Sequence, residues 1–244
     1  MTSIRALHQL VADGSQDAGL VDYVQRVRKE PGCLEAECYR SLVDPKNVGI
    51  VELWQDQHSY GDYWARVLDR PEQDAVLRTA SQHPQGESSS EFYRLQYFYP
   101  DRVWVAVDHQ DRTQKIFWPT SGSVRIIIQG SQANIDETLP AVLENVRETL
   151  REPGCLQFEQ FRSIEFPNHM MLLELWRDQA IYDAHWQFRI KTGSGSAGVV
   201  REPAPRQQGS NGLEFYRYQP FTHLYDRWVP ANVANWSETV IWAD

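Results

Sequence analysis

Two α+β domains of order βαββαβ, joined in one chain of 244 residues, are what the sequence predicts. Three observations carry this. The chain repeats itself: Glu30-Pro31-Gly32-Cys33-Leu34 returns as Glu152-Pro153-Gly154-Cys155-Leu156, and over residues 30–64 and 152–186, 16 of 35 positions are identical. Strand-like and helix-like apolar spacings follow one another in the same order in each copy. The length gives each copy about 120 residues, an ordinary domain size. With only two copies, a solenoid is excluded and two homologous domains remain, which we divide as residues 1–121 and 122–244.

The elements follow in order. A first strand is expected over residues 4–10 and 124–129, and an amphipathic helix after it. In the second copy that helix covers about residues 135–150, with Leu139, Val142, Leu143, Val146 and Leu150 at helical spacing. Pro-Gly then breaks the chain. Residues 156–162 read as the second strand and 170–176 as the third. A helix follows over about 178–189, with Asp178, like Asp56 in the first copy, placed as an N-cap or first-turn acid. Residues 214–219 close the unit, and Glu91-Phe92-Tyr93-Arg94 is echoed there by Glu214-Phe215-Tyr216-Arg217. The tails also rhyme, Ile116-Phe117-Trp118 with Val240-Ile241-Trp242. This βαββαβ order is ferredoxin-like, an antiparallel sheet with both helices on one face. The other face is bare, and two such sheets facing each other in one chain cover both, as a fused dimer would. Residues 119–123 read as the joint between the copies. The stretch Thr192-Gly193-Ser194-Gly195-Ser196-Ala197-Gly198 reads as either a plain connection or a lid.

Composition narrows the function. Hydrophobic residues at 41% and charged residues at 23% fit an ordinary globular chain. No apolar run reaches the roughly 18 residues of a membrane span, and Met1-Thr2-Ser3-Ile4-Arg5 lacks a signal-peptide core. Three cysteines, Cys33, Cys38 and Cys155, are too few and odd for a disulfide framework, and with no export signal they point to the cytoplasm. Cys33 and Cys155 follow the Pro-Gly turns and read as small apolar fillers. A net charge of -9 repels phosphate, so neither nucleic acid nor an anionic membrane is an expected partner. Nine Trp, eleven Tyr and nine Phe can fill two cores or line a pocket for a planar aromatic ligand. There is no His-Glu-x-x-His, no paired Cys-x-x-Cys and no Gly-x-Gly-x-x-Gly after a strand, so no metal is expected and no nucleotide cofactor held in the Rossmann manner.

The repeated Glu-Pro-Gly-Cys-Leu, the strand ending Glu52-Leu53-Trp54 or Glu174-Leu175-Trp176, the Asp-Gln after it and Ala184-His185 on the next helix resemble the antibiotic biosynthesis monooxygenase (ABM) domains. The likeness covers about 100 residues of each half. It implies the dimeric α/β-barrel form of the ferredoxin-like fold, molecular oxygen as oxidant and a fused-ring polyketide phenol as substrate. Tandem chains of this kind are similar to the ring-opening oxygenases of angucycline biosynthesis, of the jadomycin, gilvocarcin and kinamycin type. Those relatives suggest reduced flavin, FADH2 or FMNH2, as a loosely bound co-substrate from a separate flavin reductase. Single-domain relatives instead oxidise anthrones to quinones without cofactor.

The residues themselves allow such chemistry. Asp178, Tyr182, His185, Trp186 and Arg189 fall on one helical stripe, and Glu174 shares a strand face with Trp176. A base near neutral pKa can deprotonate a phenol, aromatic walls can hold the rings, and the phenolate can give an electron to O2 without a metal. We therefore expect His185 as base, with Tyr182, Trp176 and Glu174 in the catalytic set. Trp186, Arg189, Tyr60, Trp54, Trp64 and Tyr63 are expected at the substrate. For Trp54, Trp176, Glu52 and Glu174 a purely structural role remains the competing reading. The copies differ: Tyr63 and Val67 stand where the second copy has His185 and Arg189, so a histidine base confines this route to the C-terminal half. Where some relatives place an Asn, four residues before the strand Trp, the chain has Ile50 and Leu172, which counts against Asn-assisted anthrone oxidation and haem degradation. The expected activity is O2-dependent oxidation of an angucycline-like phenol or quinone with C–C cleavage. Cofactor-free oxidation to a quinone and a non-catalytic binder of an aromatic ligand or haem are the alternatives. A homodimer of the fused chain stays open.

Overall fold

The computed structural model describes residues 4–69, 90–94, 96–98, 104–106, 115–116, 124–192, 201–202, 213–217, 221–224 and 227–230. The N-terminal half runs β1 (Ile4–Val11), α1 (Asp17–Val27), β2 (Cys33–Ser41), β3 (Asn47–Trp54), α2 (Gln57–Asp69) and β4 (Ser90–Arg94). Short strands β5 (Gln96–Phe98), β6 (Trp104–Ala106) and β7 (Lys115–Ile116) follow. The C-terminal half repeats the order as β8 (Val124–Gln132), α3 (Ile135–Thr149), β9 (Cys155–Ser163), β10 (His169–Trp176), α4 (Gln179–Thr192), β11 (Arg201–Glu202) and β12 (Leu213–Arg217). A separate hairpin joins β13 (Phe221–Leu224) to β14 (Arg227–Pro230). The expected joint at 119–123, the loop at 193–198 and the terminal echo at 240–242 lie outside the described residues.

Each copy forms the expected antiparallel sheet, β4-β1-β3-β2 in one half and β9-β10-β8-β12 in the other. The sheets join edge to edge through β2 and β9, where Tyr39, Arg40 and Ser41 pair with Ser163, Arg162 and Phe161. At the far side β12 pairs with β5, which continues β4 one residue on, so the strand order returns on itself. This is the α+β, sheets-facing arrangement that the repeat predicts.

Strand alternation sorts the side chains between two environments. On β1, Ala6 and Leu10 join α1 residues Leu20, Val24 and Val27, whereas Leu7 faces the opposite way. Leu7, Tyr39 and Val51 of the first half meet Ile127, Phe161, Met171, Leu173 and Leu175 of the second in one shared core. Polar side chains flank it in bonded pairs. Gln129 Nε2 donates to Tyr39 Oη and Glu35 Oε1, both at 2.9 Å, and Gln157 Nε2 donates to Gln9 Oε1 at 2.7 Å. Arg28 and Glu165 form a bidentate ion pair between α1 and the turn after β9.

Two repeated devices hold each second helix on its sheet. Asp56 and Asp178 are N-caps, their Oδ1 atoms accepting the backbone N–H of Ser59 at 2.8 Å and Ile181 at 2.9 Å. Gly32 and Gly154 of the Pro-Gly turns both have φ +82°, and their carbonyls accept from the backbone N–H of Gln55 and Arg177. A Cβ on Gly154 would lie 2.5 Å from Ile181 Cδ1, so only glycine admits this close approach.

Candidate active site

The helix-facing side of each sheet carries a buried aromatic cluster, and the two clusters differ. In the C-terminal half β10 ends on Glu174 and Trp176, two residues apart and hence on one face. Trp176 is fully buried, and its indole N–H donates to Glu174 Oε2 at 2.8 Å. The cap at Asp178 starts α4 so that Tyr182 and His185 return over this strand end. The His185 ring lies 4.4 Å from Trp176 and 6.0 Å from Phe158 of β9, and Tyr182 lies 6.2 Å from Trp176.

His185 is buried, at 6% exposure, yet it has a partner: Nδ1 lies 2.7 Å from Glu152 Oε2. The other oxygen of Glu152 receives Arg189 at 3.3 Å, and Arg189 also donates to Thr149 Oγ1. Burial pushes the His185 pKa below its ordinary value, and the bond to Glu152 only partly restores it. The ring is therefore neutral at pH 7. A carboxylate only accepts, so Nδ1 carries the proton and Nε2 keeps the lone pair, the state a general base needs. Glu174 is perturbed the other way. Burial pushes its carboxyl up to about 7, against the opposing bond from Trp176. A carboxyl raised to about 7 and an imidazole held below its ordinary value thus flank one indole.

In the N-terminal half the same positions are filled differently. Trp54 donates to Glu52 Oε2 at 2.9 Å, as its counterpart does, but Tyr23 of α1 also donates to Glu52 Oε1 at 2.7 Å. His8 Nε2 stands 3.5 Å from the same oxygen. Burial raises the Glu52 pKa, but His8 first and then Tyr23 and Trp54 outweigh it and hold the carboxyl below its usual value. Tyr63, in the place of His185, stacks on Trp54 at 4.9 Å and donates to the Tyr23 hydroxyl at 3.1 Å. Tyr60 and Trp64 stack alongside at 6.3 Å.

Of the residues singled out from sequence, the structure brings His185, Tyr182, Trp176 and Glu174 together, with Arg189 joined through Glu152. Trp186 is not among them: it is 40% exposed on the outer flank of α4, so the second indole expected beside His185 is absent from this group. Tyr60, Trp54, Trp64 and Tyr63 form the N-terminal cluster on their own sheet and share no group with His185. His58 pairs with Asp62 at the surface. Burial raises the Cys155 thiol to about 12, in keeping with a filler rather than a nucleophile. Sequence reasoning passed over Glu152, Thr149, Phe158, Tyr23 and His8. Glu152 carried a signal, since it recurs as Glu30, which pairs with Arg66 of α2 much as Glu152 pairs with α4. Among the described residues no group of three or more His, Cys, Asp and Glu is arranged to hold a metal, and no helix is long and apolar enough to cross a membrane.

This architecture matches one family model twice. The antibiotic biosynthesis monooxygenase model matches residues 16–66 and 124–187, so a segment of each half is similar to that domain. No curated protein sequence matches the chain significantly. Among solved structures, a candidate monooxygenase from Fusobacterium nucleatum shares 15% identity, covering 89% of this chain and 92% of that one, with a TM-score of 0.35. An anthrone oxidase-like protein shares 10% identity over 89% and 92% of the two chains (TM-score 0.31). An aldoxime dehydratase shares 10% over 89% and 81% (TM-score 0.46). Likeness of this degree carries no argument about chemistry.

Proposed function

We propose that the C-terminal half is an oxygenase site that oxidises a planar fused-ring phenol of the aromatic polyketide class with molecular oxygen. The observation that carries this reading is the neutral, buried His185 held by Glu152 against Trp176. His185 Nε2 takes the phenol proton, and Glu152 stabilises the imidazolium that forms. Trp176 and Tyr182 pack against the His185 ring and fix its orientation. The phenolate passes an electron to O2. The radical pair then combines to a peroxide, which collapses to a quinone carbonyl and water when the reacting carbon is a methylene. Glu174, titrating near 7, returns a proton to the leaving oxygen.

Flavin fits this cluster poorly. Arg189, the guanidinium paired with Glu152, is also bonded to Thr149, and the adjoining carboxylates would repel a flavin phosphate. Ring opening of an angucycline-type skeleton is the finer form of the proposal and calls for separately supplied reduced flavin.

Oxygen uptake and product analysis with anthrone and angucyclinone probes test both. Quinone formed without flavin, one O2 per turnover, supports the cofactor-free route. Uptake only with a flavin reductase, and a cleaved skeleton, supports ring opening. No uptake with either probe, with or without reduced flavin, while the probes still bind equally to wild type and His185→Ala, would show a binding protein instead.

A further inference from the structure

The N-terminal cluster has Tyr63 where the C-terminal half has His185, and its aromatic residues form a connected series of ring contacts. We infer that it is a one-electron redox site, in which Tyr23 is reversibly oxidised to a neutral tyrosyl radical with Glu52 as the proton acceptor. The proposal goes beyond the oxygenase reading of the other half and does not require it.

A buried phenol resists oxidation unless its proton can leave, because the radical cation is strongly acidic and a protonated one is badly solvated in an apolar interior. Tyr23 meets that condition. It is 1% exposed, and its hydroxyl donates to Glu52 Oε1 at 2.7 Å. Glu52 is held in the ionised form by its neighbours, so it can receive the proton without first losing one. Burial keeps the Tyr23 phenol protonated until an electron is removed. The Tyr63 hydroxyl, donating to Tyr23 at 3.1 Å, remains to solvate the phenoxyl oxygen afterwards.

Electrons also have a route. Tyr63 stacks on Trp54 at 4.9 Å with the planes 24° apart, Trp54 meets Tyr60 edge-on at 5.5 Å, and Tyr60 stacks on the half-buried Trp64 at 6.3 Å. Each ring from Trp64 to Tyr63 is thus a near neighbour of the next, and the Tyr63 hydroxyl carries the contact on to Tyr23. The step balances as follows: an external one-electron oxidant takes an electron from Trp64, the vacancy passes inward, Tyr23–OH becomes Tyr23–O•, and its proton moves to Glu52. A thiol or other one-electron reductant reverses it. The second copy lacks the terminus, since Asn145 stands at the position of Tyr23 and His185 at that of Tyr63.

Photo-oxidation of the full chain with a ruthenium polypyridyl sensitiser and a sacrificial acceptor, read by freeze-trapped EPR, tests this without any substrate. The wild type is expected to give a long-lived neutral tyrosyl signal, and high-field spectra should show its oxygen hydrogen-bonded. Tyr23→Phe should remove that signal and leave a short-lived indolyl one. Glu52→Gln should lower the tyrosyl yield by about tenfold or more, the factor a single charge-assisted hydrogen bond commands. A tyrosyl signal of unchanged yield and lifetime in Tyr23→Phe overturns the inference, as does a wild type that yields only indolyl radicals. Should Tyr23→Phe fail to fold, the high-field spectrum of the wild type decides: a phenoxyl with no hydrogen bond refutes the assignment.

Discussion

Glu174 and Glu52 occupy the same place in the repeat and receive the same indole bond, yet their environments push them in opposite directions, which makes a paired test of the electrostatic account. The Glu174 carboxyl rises from 4.5 to about 7 on folding because burial disfavours its charge. A group whose folded pKa is raised penalises the native state as pH climbs, since the unfolded chain ionises first. Below pH 4.5 both states are protonated and no penalty exists; above 7 it is complete. At 1.36 kcal/mol per unit, the interval corresponds to about 3 kcal/mol. Glu174→Gln keeps an acceptor for the Trp176 N–H and removes the titration. It should therefore match the wild type near pH 4.5 and exceed it by up to about 3 kcal/mol at pH 8. Glu52 is depressed instead, so its ionised form stabilises the fold above its unfolded pKa of 4.5, and that stability fades as pH falls. Glu52→Gln should thus cost about 1.5–3 kcal/mol at pH 8, the worth of a charge-assisted bond, and less in acid. Urea unfolding of the three proteins at several pH values measures this. If the two substitutions change stability with pH in the same sense, the assignment of opposite shifts is wrong.

Three further outcomes are expected. His185→Ala should lower the rate of oxygen uptake by about 10²–10⁴-fold with little change in substrate affinity, so a loss carried mainly by KM would count against a base. The rate should rise with pH through a His185 pKa lying below 6.5. Because Glu152 raises that pKa and Arg189 lowers it, the acid limb of the profile should move to lower pH in Glu152→Gln and to higher pH in Arg189→Gln, and an unmoved limb in both would exclude the pairing. Gly154→Ala should destabilise the fold by about 2–5 kcal/mol, from the left-handed backbone plus overpacking against Ile181, read from the denaturant midpoint; a cost under about 1 kcal/mol would contradict the geometry.

Much of the architecture could be read from spacing. The identity of Glu30–Trp64 with its echo fixes the duplication, and period-two and period-3.6 patterns place the strands and helices to within a few residues. The seam between β2 and β9 could not be read, because edge pairing depends on which face of each sheet is already covered. Trp186 shows the limit at the site. Residues 182, 185, 186 and 189 all lie within a broad helical arc, but a helix resting on a sheet buries a narrower one, and Trp186 falls beyond its edge. Glu152 looked like part of a turn because its importance arises only when α4 folds back over it. Tyr23 was invisible for a related reason: its role depends on Glu52, twenty-nine residues away on another element.

At the β2–β9 seam Arg40 sits opposite Arg162, its own counterpart in the repeat, so the two lobes meet about a local dyad. Separate subunits related by such an axis would have to bear every substitution twice, once on each side. Covalent linkage lifts that obligation. One lobe can hold a phenol at position 63 while its sibling holds an imidazole at 185, and neither residue constrains the other. Asymmetry of this kind is open to a tandem gene and closed to a homodimer.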